Sequence, residues 1–178
     1  MEFTLKNDRV IRIREACPDD AGMVLAHIER VSGESQYLTF GPGEFTMTEA
    51  DEADFFRACA ESPNQVYALA FLDSVLVATG NIMASSRPRL RHRGELAMSV
   101  SRDVWGLGIG GAMLDYLIAW SQNNPMLSKL DLRVRTDHVQ GVALYRSRHF
   151  EEEGILRRQL RIDGSFYDVF HMGLAVKV

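Results

Sequence analysis

Four glycines lie close together in the middle of the chain, at positions 106, 108, 110 and 111. The residues before them, from Arg93 to Val100, alternate in polarity as a β-strand does. From Ile109 onward, the apolar residues recur at the spacing of an amphipathic helix. A strand that enters a helix through glycines presents bare backbone N–H groups at the positive end of that helix. This arrangement is suited to binding phosphate oxygens.

Two nucleotide-binding motifs place glycines in the same context. A P-loop requires Lys and then Ser or Thr after its last glycine. Ala112 follows Gly111 here, so a P-loop is excluded. The Rossmann pattern G-x-G-x-x-G is met by Gly106, Gly108 and Gly111, and Asp131 lies about 20 residues further on, where a ribose-binding acid is expected. A Rossmann domain needs several further βα units after this turn, and too little chain follows it.

The glycine-rich stretch resembles the pyrophosphate loop of the GNAT superfamily of acyl-CoA N-acetyltransferases, Arg/Gln-x-x-Gly-x-Gly/Ala. The matching residues are WGLGIG, from Trp105 to Gly110. Trp105 stands where Arg or Gln is usual. The resemblance therefore implies that backbone amides, rather than a side chain at this position, carry most of the phosphate binding.

Residues 137–154 are similar to a second signature of the same family, Asn-x-x-Ala-x-x-Leu-Tyr-x-x-x-Gly-Phe-x-x-x-Gly. The residues that match the signature are Leu144, Tyr145, Phe150 and Gly154. His138, Gly141 and His149 replace the usual Asn, Ala and Gly. Two motifs at the right separation are more specific than either alone, and the resemblance extends from about Arg93 to Met172.

The resemblance implies that acetyl-CoA is the co-substrate and that it binds along the strand and the glycine turn. Backbone groups of Met98 and Val100 would pair with the pantetheine arm, and the Val100 N–H would face the thioester oxygen. The strand would have to splay from residues 129–134 to admit the arm. The residues expected at the cofactor are Met98, Ser99, Val100, Trp105, Gly106, Leu107, Gly108, Ile109, Gly110, Gly111, His138 and Tyr145.

Amide formation from a thioester requires an unprotonated amine and a proton for the leaving thiolate. Tyr145 is the expected proton donor, because a phenol held close to a thiolate can protonate it. Its alternative role is that of a tyrosine packed in the core. Glu95 is the expected base, acting through water, and its alternative role is that of an exposed strand carboxylate. Three histidines, His27, His149 and His171, are scattered along the sequence, and no metal site is expected.

The elements around these residues predict an α+β fold, with a mixed, mostly antiparallel central sheet flanked by helices. Two hairpin turns, Asp73-Ser74 and Asp163-Gly164, join antiparallel strands. One strand–helix–strand crossover surrounds the glycine turn. This pattern agrees with the GNAT fold. The strands are predicted at 10–14, 66–72, 75–84, 93–100, 129–134, 153–156, 160–162 and 166–175, and the helices at 18–33, 48–60, from 109 onward and at 139–148.

Length and composition predict one globular domain over residues 1–178. The net charge of −4 argues against nucleic acid as a partner. Two cysteines are too few for a disulfide framework, and the apolar runs are too short to span a membrane. With no leader pattern at the start, the sequence predicts a cytoplasmic protein that needs no membrane. The oligomeric state stays open, with a homodimer among the alternatives.

The predicted function is transfer of an acetyl group from acetyl-CoA to a primary amine by direct attack. The acceptor is a protein α-amine, a polyamine or another small amine. At pH 7 an α-amine is free base in about one molecule in seven, against roughly one in a few thousand for a lysine-like amine. A single candidate base therefore slightly favours the α-amine. The alternatives are a CoA-binding module without catalysis and a dinucleotide-binding oxidoreductase.

The loop from Glu34 to Thr46 carries three aromatic side chains, Tyr37, Phe40 and Phe45. They either attach the loop to the core or form a wall of the acceptor pocket, since loops on a rigid scaffold often carry binding groups. A second loop, residues 87–93, is rich in arginine. It is either a solvated connection or a site that attracts an anionic substrate or a CoA phosphate.

Overall fold

The computed structural model describes residues 1–177, which form one eight-stranded sheet with helices on both faces. The strands are β1 (Glu2–Thr4), β2 (Val10–Glu15), β3 (Val66–Leu72), β4 (Val75–Ala84), β5 (Arg93–Val100), β6 (Lys129–Arg135), β7 (Glu151–Ile162) and β8 (Ser165–Ala175). The helices are α1 (Ala21–Glu34), α2 (Glu49–Glu61), α3 (Ile109–Asn123) and α4 (Val139–Arg146). None of these helices combines the length and the apolar character needed to cross a bilayer.

The strand order is β1-β2-β3-β4-β5-β6-β8-β7. Within the described residues, every neighbouring pair is antiparallel except β5 and β6, which are parallel and joined through α3. The predicted α+β class and the single crossover are confirmed. This topology lacks the series of parallel strands that a Rossmann domain requires, so the dinucleotide-binding alternative loses its structural basis.

Several elements differ from the prediction, and α4 ends at Arg146 instead of residue 148. The strand β1, which has only three residues, is too short to give a periodic signal in the sequence. The two short stretches predicted around residues 153–162 form one strand, β7, whose register with β8 shifts twice. These shifts interrupt the alternation that would have revealed a single strand. The first helix does not end at Gly33 as predicted but includes that glycine in its last turn and ends at Glu34.

The core has two layers, one on each face of the sheet. On one face, α3 packs against apolar side chains of β2 to β6, among which Leu96 of β5 and Leu132 of β6 are almost completely buried. On the other face, α1 and α2 cover β3 and the start of β4. The side chains of β5 alternate between the faces, so Glu95, Ala97 and Ser99 lie on the α1 side.

The parallel strands β5 and β6 separate soon after they begin. They pair over only three positions, the last being Glu95 opposite Asp131. β5 nevertheless continues to Val100, paired with β4, and β6 continues to Arg135, paired with β8. We call this opening, between residues 96–100 and residues 132–135, the fork. The fork is the splay that the resemblance implied, and the glycine turn lies at its wide end.

Candidate active site

The edge of β5 that borders the fork offers unpaired backbone groups. Ser101 donates its N–H to the Val77 carbonyl of β4 at 2.9 Å. Along an antiparallel strand the backbone groups of successive residues point to opposite sides. The N–H and C=O groups of Met98 and Val100 therefore point away from β4 and into the fork, where β6 does not pair with them. Of these four groups, only the Val100 carbonyl has a partner within residues 1–177, a side chain.

Trp105, which replaces the usual Arg or Gln, has a backbone partner. Its indole Nε1 donates to the carbonyl oxygen of Val100 at 2.8 Å. The guanidinium of Arg102 lies 5.9 Å from the centre of the indole ring, within the range of a cation–π contact. Trp105 thus fixes the turn against the end of β5, and Arg102 supplies a cation beside the loop.

The glycine turn has a backbone conformation that side chains disfavour. Gly106 has φ +81° and Gly108 has φ +97°, both in the left-handed region. Gly108 is the N-cap residue of α3, and no side chain in residues 1–177 caps that helix end. The first amides of α3 are therefore free to bind an anion. We call Met98, Val100 and residues 105–111 the cofactor edge.

Tyr145 lies on α4, which follows β6, and its ring packs edge-on against Phe150 at 5.9 Å. It also packs against the main core cluster. Burial raises the pKa of Tyr145 to about 12. The phenol is therefore protonated throughout the neutral range, as a proton donor must be. The structure combines both alternatives for this residue, since the ring is packed in the core and the group remains a potential donor.

His138 and Gly141 both depart from the family signature, and the two departures are sterically linked. His138 precedes α4, and a Cβ added to Gly141 would come within 2.5 Å of the His138 ring. The larger ring in place of Asn thus requires the glycine in place of Ala. The His138 ring stacks on Tyr37 with a centroid distance of 3.8 Å. Burial lowers the pKa of His138, so the neutral ring is favoured.

The third departure, His149, has a different local cause. His149 has φ +65°, a left-handed conformation that costs a residue with a side chain more than it costs glycine. The usual Gly of the signature suits this backbone. His149 keeps the same turn at some cost in stability.

Glu95 lies at the narrow end of the fork on the α1 side. Its carboxylate contacts Arg133 of β6, with Nε–Oε1 and Nη2–Oε2 distances both 3.3 Å. The Glu95 side chain is 46% exposed, so water reaches it. At about 3.3 Å per residue, Glu95 lies roughly 10 Å along β5 from Met98 and roughly 17 Å from Val100. A water-mediated role for Glu95 therefore favours a reacting carbon close to Met98.

Arg135 is a site residue that the sequence did not reveal. Its side chain is 4% exposed and forms an ion pair with Asp137 through Nε at 2.9 Å and Nη2 at 2.6 Å. The guanidinium lies 3.6 Å from the centre of the Tyr167 ring. The only available signal was the alternation of β6, which places Asp131, Arg133 and Arg135 on one face.

A buried polar network behind β5 was also missed. His27 of α1 is 3% exposed, and its Nε2 lies 3.1 Å from Oγ of Ser99, which is 3.0 Å from Oγ1 of Thr79. Arg30 Nη2 contacts His27 Nδ1 at 3.3 Å and can only donate, so the ring proton lies on Nε2. Burial, helped by Arg30, lowers the pKa of His27 to about 4, which makes it a poor base at neutral pH.

Asp131 does not face a ribose site. It is 1% exposed, and its carboxylate contacts Lys129 Nζ at 2.8 Å and Arg93 Nε at 2.9 Å. Glu153 and His171 complete a cluster whose ligand-type atoms lie within 4.8 Å of one another. Because Lys129 and Arg93 already neutralise the buried carboxylate, this cluster is an ion-pair network that links β5, β6, β7 and β8.

The arginine-rich loop lies at the opposite end of β5 from the glycine turn. It connects β4 to Arg93, and the eight residues of β5 separate it from Ser101. At about 3.3 Å per residue, that separation is roughly 25 Å. The loop is therefore too far from the glycine turn to bind the same phosphate groups, and it leads instead into the narrow end of the fork.

Residues 33–150 match the model of the acetyltransferase (GNAT) family. Because the match covers more than half of the chain, the protein belongs to the GNAT family of acyl-CoA-dependent N-acetyltransferases. The family predicted from the two motifs is confirmed. The match begins within α1 and ends before β7, so it includes the whole fork and the cofactor edge.

Solved structures with the same fold agree with this assignment. An acetyltransferase of the GNAT family from Streptococcus pneumoniae superposes with a TM-score of 0.91 at 34% identity, covering 94% of this chain and 99% of that one. A GNAT superfamily phosphinothricin acetyltransferase from Sinorhizobium meliloti, solved in complex with acetyl-CoA, superposes with a TM-score of 0.81 at 18% identity. The superposition covers 97% of this chain and 89% of the phosphinothricin acetyltransferase. The second likeness shows the fold alone.

Among curated proteins, the uncharacterized N-acetyltransferase p20 of Bacillus licheniformis is 26% identical over 82 residues. The matched region is 46% of this chain and 46% of that protein, so the chain spans just under half the length of this relative. The acceptor and the details of the reaction therefore have to be argued from the site itself.

Proposed function

We propose that this protein transfers the acetyl group of acetyl-CoA to a primary amine by direct attack of the amine on the thioester. The observation that carries the proposal is the fork, which leaves the backbone of Met98 and the N–H of Val100 without a strand partner beside an uncapped helix N-terminus. An unpaired strand edge suits the amide groups of a pantetheine arm. The helix end suits a pyrophosphate. A single ligand that carries both groups fits the whole cofactor edge.

In this proposal the cofactor edge binds through its backbone. The amides of residues 106–111 hold the pyrophosphate, and Met98 and Val100 pair with the arm. Trp105 holds the turn, while Ser99 of β5 and His138, the residue before α4, flank the arm. A backbone N–H directed at the thioester oxygen is worth about 10²–10³ in rate. Val100 is the donor implied by the family resemblance, and Met98 is the fork-facing amide nearer to Glu95.

Tyr145 protonates the leaving thiolate. Its pKa of about 12 keeps the phenol neutral, so the proton is present in every catalytic cycle. This pKa is higher than the pKa of a thiol, which is about 8.5. Transfer of the proton from the phenol to the thiolate is therefore uphill and requires the two groups to be held in close contact. The packing of the Tyr145 ring against Phe150 provides the rigidity that such contact needs.

Glu95 accepts the amine proton through water. Its ion pair with Arg133 holds the carboxylate at the narrow end of the fork. A single exposed carboxylate is a modest base, and this favours an acceptor whose amine is already partly unprotonated at neutral pH, such as an α-amine. The phosphinothricin acetyltransferase that shares the fold adds small-molecule amines to the acceptors worth testing.

The test is release of the CoA thiol by purified protein, with acetyl-CoA and a panel of a short peptide with a free N-terminus, a free amino acid and spermidine. The proposal expects turnover with at least one amine and none in a Gly108→Glu variant. Acetyl-CoA binding without turnover of any amine would identify a non-catalytic CoA-binding module. Binding of a nicotinamide dinucleotide without binding of CoA would identify an oxidoreductase.

We also propose that residues 1–178 act as a single domain in the cytoplasm, with neither nucleic acid nor membrane as a partner. The near balance of charges, with 20 basic and 24 acidic residues, supports the first exclusion. Sedimentation of the purified protein distinguishes a monomer from a homodimer.

A further inference from the structure

The wide end of the fork is crossed on the α1 side by residues 34–37, which we call the strap. At one end, Glu34 Oε2 accepts the backbone N–H of Arg102 at 2.8 Å, just beyond β5. At the other end, the carbonyl of Gln36 accepts Nη1 of Arg135 at 2.8 Å, at the end of β6. The strap therefore connects the two strands at the point where they no longer pair with each other.

Arg135 holds the strap from the β6 side. Its guanidinium is enclosed between two rings, with Tyr167 at 3.6 Å and Tyr37 of the strap at 5.0 Å. Its bidentate ion pair with Asp137 fixes the plane of the guanidinium. A buried cation needs all of these partners, so its position is tightly determined.

Tyr37 has a second attachment to the same side of the fork. Its ring stacks on His138 at 3.8 Å with only 5° between the planes. Tyr167, Arg135, Tyr37 and His138 thus form one continuous stack contributed by β8, β6, the strap and the residue before α4. Beyond Glu34, which ends α1, residues 35–37 of the strap lie in no helix or strand, so these contacts determine their position.

We propose that Arg135 is a positioning residue that fixes the strap, and that the strap sets the width of the acceptor opening on the α1 side of the fork. The opposite limit of this opening is the Glu95–Arg133 ion pair. Loosening the strap should therefore widen the opening, which would raise the turnover of bulkier amines relative to slender ones and admit water to the thioester. This inference rests on the proposed acetyl transfer.

Two variants weaken the strap in different ways, and two others serve as controls. Tyr37→Ala removes the stacked ring. Arg135→Lys keeps the charge but loses the planar guanidinium that contacts Gln36 and Asp137. Tyr37→Phe keeps the ring. Arg57→Ala removes an exposed arginine of α2 that pairs with Asp54, away from the fork.

The first measurement is hydrogen–deuterium exchange of residues 34–38, which needs no substrate. We expect exchange to be about tenfold faster in Tyr37→Ala and Arg135→Lys and unchanged in both controls. Unchanged exchange in both strap variants would overturn the positioning role of Arg135.

The second measurement is acceptor selectivity with propylamine, isobutylamine and neopentylamine, which have similar pKa values and increasing width. We expect the ratio of neopentylamine to propylamine turnover to rise in both strap variants. Hydrolysis of acetyl-CoA without amine should rise several-fold, while the Kd of acetyl-CoA stays within about twofold. A role in folding alone would change the active fraction but not the ratio, because the ratio is independent of enzyme concentration.

An unchanged ratio and an unchanged hydrolysis rate, in variants whose strap exchanges faster, would overturn the claim that the strap borders the acceptor opening. If no amine of the series is acetylated, the hydrolysis rate alone decides, and an unchanged rate would overturn the claim. Failure of the wild type to bind acetyl-CoA would instead remove the proposed function, and the exchange measurement would still decide whether Arg135 holds the strap.

Discussion

The cofactor edge and the acceptor opening border the same fork, but the first uses backbone groups and the second uses side chains. The cofactor edge uses backbone groups of Met98, Val100 and residues 105–111, all within one stretch of the chain. The proposed acceptor opening uses side chains from separate segments, with Tyr37, Glu95 and Arg135 as its main members. A backbone site tolerates changes in side chains, as Trp105 illustrates, whereas a side-chain site changes whenever one contact changes. One scaffold can therefore keep one co-substrate while its acceptor varies.

The largest expected effect comes from breaking the cofactor edge alone. Gly108→Glu places a carboxylate where phosphate is proposed to bind, at a residue with φ +97°. We expect acetyl-CoA binding to be abolished while the fold persists, as measured by calorimetry and circular dichroism. Gly164→Glu is the matched control, because Gly164 also has a positive φ, +80°, but lies in the hairpin turn after β7. Near-unchanged affinity in Gly108→Glu would mean that phosphate binds elsewhere.

The next effect concerns Tyr145, which we propose as the proton donor between the two regions. Tyr145→Phe should lower kcat by roughly 10²–10⁴ with little change in the Kd of acetyl-CoA. Tyr116, a partly buried tyrosine on α3, provides the control, and Tyr116→Phe should keep full activity. Since the pKa of Tyr145 is about 12 and the neutral form predominates below that value, kcat should show no alkaline loss from this group below about pH 10. Full kcat in Tyr145→Phe would leave Tyr145 with its packing role only.

A smaller effect is expected when the acceptor side loses its base. Glu95→Gln keeps the size of the side chain and should lower kcat/KM about tenfold near neutral pH. The rate should recover as the pH approaches the pKa of the amine, because free base is then supplied by the amine itself. The measurement is a pair of pH profiles with one amine, with Glu151→Gln of the exposed β7 strand as control. Profiles offset by a constant factor would indicate that Glu95 positions the amine instead, and superimposed profiles would leave it with no role.

The smallest effect is on stability and concerns the network that supports β5 from behind. The pKa of His27 is about 4 in the folded protein and near 6.5 in the unfolded chain. Between these values the unfolded chain binds more protons, so the free energy of unfolding falls as the pH falls, by up to ~3 kcal/mol. The loss from pH 7 to pH 5 should be smaller in His27→Gln, which does not titrate.

Urea denaturation at pH 7 and pH 5 measures this difference, and His92→Gln, a change in an exposed loop, is the control. The carboxyl group of Asp20 does not interfere in this window, because Arg14 lowers its pKa to about 2. An equal loss of stability in wild type and His27→Gln would show that His27 is not a source of the pH dependence.

Most of the fold could be predicted from the sequence because its signals are local. The hairpin turns and the change of period at Ile109 each depend on a few adjacent residues, and the structure has them. The fork could be expected only from the resemblance, because nothing within β5 encodes where its pairing with β6 ends.

The acceptor side could be predicted only in part, for the same physical reason. Glu95 could be proposed from the sequence because a carboxylate on the same side of a strand as two small residues, Ala97 and Ser99, is a local pattern. Arg135 was missed because its partners, Gln36, Tyr37 and Tyr167, are brought together by the folding of distant segments. The pairing of His138 with Gly141 was visible as two departures from a motif, but the reason for it required the distance between them.

The central claim is that one stretch of backbone, Met98 to Gly111, binds acetyl-CoA along the open edge of β5. The most direct test is hydrogen–deuterium exchange of the whole protein with and without saturating acetyl-CoA. The account predicts that the amides of Met98, Val100 and residues 106–111 become strongly protected, while residues on the outer strands β1 and β7 do not change. Protection that is absent from these amides, or that appears mainly around the arginine-rich loop, would contradict it.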